Sequence, residues 1–417
     1  MTAPQRSPLV PMDEALARLL AFVDSPLESE SIAVGEADGR VLATDVVSAL
    51  HVPPQDNSSM DGYALRCADV GARGVQLPVS QRIAAGSSGV PLQFGTVARI
   101  FTGAPVPHGA DAIVMQEDCT ALTLAGDASG VPQVQVNALP SLGQYIRRAG
   151  EDVARGDVVL SRGQRLGPAE LGLAASIGMD RLDVAVRPRV ALFSTGDELV
   201  MPGTVAPQDM PPGAIYNSNR FFLSALLRRM GCIVTDLGIV PDRLDATVKA
   251  LRDAAQAHHV ILTSGGVSVG EEDHIKPAVQ SLGTLDMWQI AMKPGKPFAH
   301  GRIGEAHFLG LPGNPVSSFV TFLVMVRPFL LQLQGMHPVA MKSVAARADF
   351  TWAKPDKRRE FLRVRRNANG GLDLFPNQSS GVLTSAVWGD GLVDNPSGCA
   401  IGSGDTVRYM SFAELLA

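Results

Sequence analysis

The chain has 417 residues, 46% of them hydrophobic and 18% charged, with a formal net charge of −5. That length predicts several domains with sizeable cores, and the acidic balance disfavours a duplex nucleic-acid binder, which would carry a basic footprint. The four cysteines, Cys67, Cys119, Cys232 and Cys399, form no close pair, so neither a zinc site nor a disulfide framework is expected; with no basic-then-apolar leader, a reducing cytoplasmic setting is.

In chain order, the first element is an amphipathic helix over Met12–Val23, where Leu16, Leu19, Leu20 and Val23 keep helical spacing and Asp13 and Glu14 suit the first turn. A mixed segment ends in a strand-like Thr44–Ala49. From His51 to about Asn137, short β-like runs such as Val97–Phe101 and Ala112–Met115 alternate with Gly and Pro turns. This reads as a β domain inserted into its host. Ser141–Arg187 is again mixed.

From Arg187 onward strands and helices alternate: strand Val190–Phe193, helix Arg220–Met230 closed by Gly231, strand Cys232–Val240, helix Leu244–Ala257, strand Val260–Thr263, and a long apolar helix Asn314–Gln334. Its greasiest part, Phe319–Leu331, is interrupted by Arg327 and Pro328 and is shorter than the ~18 apolar residues of a membrane span, so no membrane partner is expected. Alternation of this kind predicts a doubly wound parallel sheet, with ligands at the carboxyl ends of its strands. Phe361–Arg365, Leu372–Phe375 and Asp405–Met410 are strand candidates of a β-rich tail. The expected fold is therefore α/β plus β, multi-domain: residues 24–50 and 138–186 a mixed linking domain, 51–137 the inserted β domain, 1–23 and 187–335 the α/β domain, and 336–417 the C-terminal β domain.

Five groups of residues could carry chemistry. Ser264, Gly265, Gly266, Val267, Ser268, Val269 and Gly270 follow a strand; glycines let successive N–H groups converge on an anion, and a helix starting near Glu272 would add its N-terminal field. The same glycines would also serve a plain tight turn. Leu311, Pro312, Gly313, Asn314, Pro315, Val316, Ser317 and Ser318 open the apolar helix, with Asn314 at an N-cap and Pro315 at the first helical position. Lys293 and Lys296 sit on a proline-stiffened turn, Lys293-Pro294-Gly295-Lys296-Pro297, suited to an anion. Among the acids Asp61, Asp197, Glu198, Asp242, Glu271, Glu272 and Asp273, the last and Glu198 are the better ligands for a hard cation such as Mg²⁺, because they neighbour the glycine and strand-end loops. Of the basic residues Arg147, Arg148, Lys357, Arg358, Arg359, Arg363, Arg365 and Arg366, a strand would place Arg363 and Arg365 on one face and Arg366 on the other.

Seven motifs in order resemble the molybdopterin molybdenumtransferase family, the MoeA-like proteins: 56–64 (DNSSMDGYA), 101–105 (FTGAP), 148–152 (RAGED), 193–199 (FSTGDEL), 264–270, 293–297 and 311–317. The resemblance implies an elongated homodimer of four-domain subunits that inserts molybdate into adenylylated molybdopterin, with Mg²⁺-dependent release of AMP. It implies that Asp61, Thr102, Arg147 and Asp152 face Glu198, Asp242, Asp273, Lys293 and Lys296 of a partner, and that Arg363 and Ser380 help handle the oxyanion. Molybdopterin adenylyltransferase and molybdoenzyme-maturation proteins are the further partners implied. Gln55, Ser59 and His274 depart from the family pattern and bear on substrate positioning. Two other readings share the fold: an adenylyltransferase acting one step earlier, which would not need the inserted or tail domains, and a non-catalytic scaffold.

Overall fold

The computed structural model describes residues 9–122, 131–266 and 274–416, apart from the side chain of Met287. The α/β domain is built on a six-stranded sheet in the order Ile233–Val240, Arg189–Thr195, Val260–Ser264, Ala306–Leu311, Pro297–Ile303, Thr284–Gln289. The first four strands are parallel. The last two are antiparallel, so the expected parallel sheet carries a hairpin edge. A hairpin edge needs only a tight turn, at Gly304, where a parallel strand would need a crossover.

The helices match the sequence periodicity closely. Leu244–Ala257 has the expected bounds. Asn219–Arg229 is closed by Gly231, whose φ of +81° lets its N–H reach Arg228 O while Cys232 N reaches Leu227 O. The first helix is shorter than expected, Met12–Leu20, and buries Met12, Ala15 and Leu19. The apolar helix spans Pro315–Leu333; its most apolar window has a mean hydropathy of 1.7, long and apolar enough to cross a membrane, yet 83% of that window is buried inside the protein, so it is the α/β domain's core helix. Its middle, Phe322–Val326, widens into a π turn. Pro328 has no N–H to return to Val324, which accounts for the local departure from α geometry.

The inserted domain is a mixed sheet containing Gly62–Leu65, Val75–Ile83, Val97–Ile100, Ala112–Met115, Cys119–Leu122 and Gln133–Val136. Ile146–Arg147 pairs with Asn57–Ser58 at its base. The linking domain joins Ser29–Ala33 to Arg181–Ala185 and Val46–Val47 to Val158–Leu160 around Leu42, Leu166 and Val184. The tail sheet is Val344–Arg347, Arg359–Arg366, Leu372–Leu374, Gly391–Asn395 and Thr406–Ser411. Phe361, Leu392, Met410 and Phe412 of the tail pack in the same core as Leu309, Val316 and Phe329 of the α/β domain. Two domains that share a core hold their loops in fixed register, which is what the site requires.

Candidate functional site

The carboxyl ends of three parallel strands meet at Thr195. Gly265 and Gly266 both have positive φ, +94° and +67°. A Cβ on Gly265 would lie 2.9 Å from Thr195 O, and one on Gly266 would lie 2.9 Å from Thr195 Oγ1 and 2.5 Å from Ile275 Cγ1. These glycines are therefore required for close approach as well as for conformation. On the other side, the Glu198 carboxylate folds over Gly196, where a Cβ would meet its Oε2 at 2.4 Å. Glu198 thus lies against the turn that follows strand Arg189–Thr195. Asp242 follows strand Ile233–Val240, whose last residue is in register with Thr195. Ser268 and Asp273, and with them the expected helix start at Glu272, lie outside the described residues; the described helix is Ile275–Leu282.

The second loop touches the first: a Cβ on Gly313 would be 3.8 Å from Gly265 Cα, and Gly265 N donates to Leu311 O. Asn219 ties them together, its Nδ2 donating to Ser264 Oγ and Gly313 O at 2.7 Å each. Ser318 Oγ donates to Pro312 O and lies 3.4 Å from Ser264 Oγ. Ser318 closes the second motif singled out in the sequence, whereas Asn219 was not singled out; the Asn217-Ser218-Asn219 run opening a helix was the signal available for it. Pro315 begins the helix as expected, but Asn314 makes no side-chain cap. The first-turn N–H of Val316 donates instead to Ser380 O at 2.9 Å, so the tail domain, and not Asn314, caps this helix. Gly313 and Asn314 are exposed, whereas Pro312 and Ser317 are buried.

Arg363 is 1% exposed. Its guanidinium donates to Phe361 O at 3.0 Å, Ser385 Oγ at 3.2 Å and Ser379 O at 3.3 Å. Among the described residues these partners are all neutral, and burial pushes the group's pKa down to about 10. Arg365 stacks on Trp388 of the same helix that supplies Ser385, while Arg366 lies over Tyr409, in keeping with the alternation expected of a strand. Arg363 and Ser380 therefore border the helix start at Pro315. Lys293 and Lys296 follow at the same seam, because Gly295 (φ +106°) is pressed against Thr321 of that helix.

The remaining residues form a second group in the inserted domain. Asp61 Oδ1 accepts from Thr102 N and Thr102 Oγ1, both at 2.8 Å. These bonds, with Arg99 nearby, hold its carboxyl below the usual range. Arg147 is exposed on the short strand beside Asn57. Asp152 is exposed and adjoins Val153, which pairs with Val52. The hydrogen bonds that fix Asp61 and Thr102 stay within the inserted domain. Among the described residues no hydrogen bond or ion pair joins Asp61, Thr102, Arg147 or Asp152 to the glycine loops or the lysine turn.

Among the described residues no group of three or more His, Cys, Asp or Glu side chains is gathered to hold a metal. Glu198 and Asp242 offer two carboxylates at adjacent strand ends. Oxygen donors in that number fit Mg²⁺, which commonly takes one or two carboxylates and completes its shell with water and phosphate. A cavity of about 560 Å³ lies elsewhere, between Arg165, Arg327 and Glu414, and contains none of the residues above.

Comparison with known proteins identifies the family. Three family models match successive segments: "MoeA N-terminal region (domain I and II)" over residues 10–178, "Probable molybdopterin binding domain" over 191–332, and "MoeA C-terminal region (domain IV)" over 345–412. The chain is 41% identical to a molybdopterin molybdenumtransferase of Haemophilus influenzae over 331 residues, covering 78% of each. It is 36% identical to one of Synechococcus elongatus, covering 89% of this chain and 92% of that one. A crystal structure of the molybdopterin biosynthesis MoeA protein from Pyrococcus horikoshii OT3 superposes with a TM-score of 0.83 at 27% identity, over 97% of this chain and all of the other.

Proposed function

Since the chain belongs to the family of molybdopterin molybdenumtransferases, enzymes of molybdenum cofactor biosynthesis, we propose that it inserts molybdate into adenylylated molybdopterin and releases AMP in a Mg²⁺-dependent step. The observation that supports this reading is the contact of the two glycine loops at the strand ends, Gly313 against Gly265 with Asn219 bridging them. The Gly265 N–H is held by Leu311 O, and the neighbouring backbone N–H groups of Gly266 and Gly313 suit the substrate's phosphates. Lys293, Lys296 and Arg363 supply positive charge for a tetrahedral oxyanion. Glu198 and Asp242, with Asp273, are the residues that would hold Mg²⁺, which when bound offsets charge on the phosphates.

The division of these residues between two domains supports a homodimer in which Asp61, Thr102, Arg147 and Asp152 of one subunit form one half-site and complete the loop site of the other. Asp61, kept ionised by Thr102, would then orient donor groups of the pterin or a bound water, and Arg147 and Asp152 would fix the substrate's far end. No covalent enzyme intermediate is needed; positioning and fixed charge do the work. Transient contact with the adenylyltransferase that makes the substrate, and with maturation proteins that take the product, follows from the lability of such compounds, and the cytoplasm is the proposed location. Purified protein given adenylylated pterin and Mg²⁺, with and without molybdate, tests the reading through nucleotide release.

A further inference from the structure

The lysine turn is held from outside its own domain. Met292–Lys293 pairs in parallel with Arg359–Glu360 of the tail sheet, Lys293 opposite Glu360, and Arg359 N donates to Ala291 O. Glu360 is 1% exposed. Its Oε2 accepts from Trp352 Nε1 at 2.8 Å, Asp356 N at 3.1 Å and Asn395 Nδ2 at 3.4 Å. Its Oε1 lies 3.3 Å from Lys293 Nζ. Asp356 is also near, 3.5 Å from Nζ, but its carboxylate is already engaged by the Arg358 guanidinium at 2.8 and 2.9 Å. A buried carboxylate is costly without a counter-ion. Glu360 has one oxygen saturated by neutral donors and the other turned toward Lys293. On the opposite side Gly295 is wedged against Thr321, where a Cβ would come within 2.3 Å of Oγ1. The turn is thus clamped between the core helix and the tail.

We infer that Glu360 is a positioning residue for the oxyanion pole: it fixes the Lys293 ammonium at the seam between the α/β and tail domains before the anion arrives. The inference rests on the reading of this turn as the oxyanion site. A free lysine loses much rotamer freedom on binding, whereas a charge already fixed in place costs no reorganisation. The role belongs to Glu360 in particular, because Asp356 is shared with Arg358 and more exposed.

The variant Glu360→Gln tests it. The amide oxygen can keep the donors from Trp352, Asp356 and Asn395, so only the pairing with Lys293 is lost. Two quantities are measured on the full-length protein: kcat and apparent KM for molybdate in nucleotide release, and the rate at which an amine-acylating reagent labels Lys293, read by peptide mass spectrometry without turnover. The expected result is an apparent KM raised about tenfold with kcat within about twofold, and Lys293 labelled several-fold faster while Lys296 is unchanged. Asp356→Asn should move both quantities much less. Unchanged labelling and KM in Glu360→Gln, or equal changes in both variants, would overturn the assignment. So would a joint fall of kcat and stability with unchanged labelling, which is the mark of a merely structural residue. Faster labelling in a protein whose wild type shows no response to molybdate would instead remove the oxyanion reading of the turn, and this role with it.

Discussion

Gly266 and Thr195 approach so closely that a single methyl group on the glycine would stand 2.9 Å from the threonine hydroxyl oxygen. That contact joins two strand ends, and the turn that leaves Thr195 carries Gly196 with the Glu198 carboxylate folded against it. Gly266→Ala adds strain twice, from the positive φ and from the contact with Ile275. A cost of about 1–3 kcal/mol is expected. A drop in melting temperature with weakened binding of the nucleotide-bearing substrate would be seen in thermal-shift titrations; an alanine variant that binds and melts like the parent would remove the close-approach argument.

Asn219 should matter as much as any motif residue. Its Nδ2 bridges Ser264 Oγ and Gly313 O, and its loss takes a donor from the buried Ser264 hydroxyl and unties the two loops. Asn219→Ala is expected to cost about 1–3 kcal/mol. Asn219→Asp should be no better, since a carboxylate would face Gly313 O. Substrate KM should rise in both variants, as measured in steady-state assays.

For Asp61 the sign of the pH effect is fixed. Its folded pKa is lowered, chiefly by Thr102 N and then by Thr102 Oγ1. The associated stabilisation is present above the unfolded carboxyl pKa and is lost as pH falls through the lower folded value. Turnover near neutrality should therefore show no limb from Asp61. Thr102→Val removes one donor, so the Asp61 titration, followed by carbon-13 NMR, should move upward toward the ordinary range. Thr102→Ser should leave it in place.

Arg363 carries a buried charge whose described partners are neutral, so an oxyanion should stabilise the protein through it. Molybdate at 100 times its dissociation constant is expected to add about 2.7 kcal/mol. The gain should be largely lost in Arg363→Gln and in Arg363→Lys, because an ammonium cannot reproduce the planar fork. Calorimetry with and without molybdate, and with sulfate as a control, measures this.

Much of this was legible in the sequence for physical reasons. Leu244–Ala257 and Gly231 follow from helical spacing and the need for positive φ, and the glycine loops and lysine turn are local in sequence. What was not legible depends on distant partners. The capping of Val316 by Ser380 O replaces the expected role of Asn314 and joins residues 64 apart in sequence. The burial of Arg363 inside a run of basic residues, and the pairing of Glu360 with Lys293, depend on how the tail sheet docks. The antiparallel edge of the α/β sheet was missed because Thr284–Gln289 and Pro297–Ile303 were not among the expected strands, the segment around them being read only as a proline-stiffened turn.

Complementation tests the shared site. Asp61→Asn and Lys296→Ala should each be inactive alone. Unfolded and refolded together at equal amounts, they should give half heterodimers, each with one intact site, so activity returns to about a quarter of wild type. No recovery, in a mixture shown to exchange subunits, would place both half-sites within one chain.

The most direct measurement remains nucleotide release by the purified protein from adenylylated molybdopterin with Mg²⁺. AMP should appear rapidly only when molybdate is added, and Glu198→Gln should suppress it. ATP consumption with free molybdopterin, or AMP release indifferent to molybdate, would contradict the account.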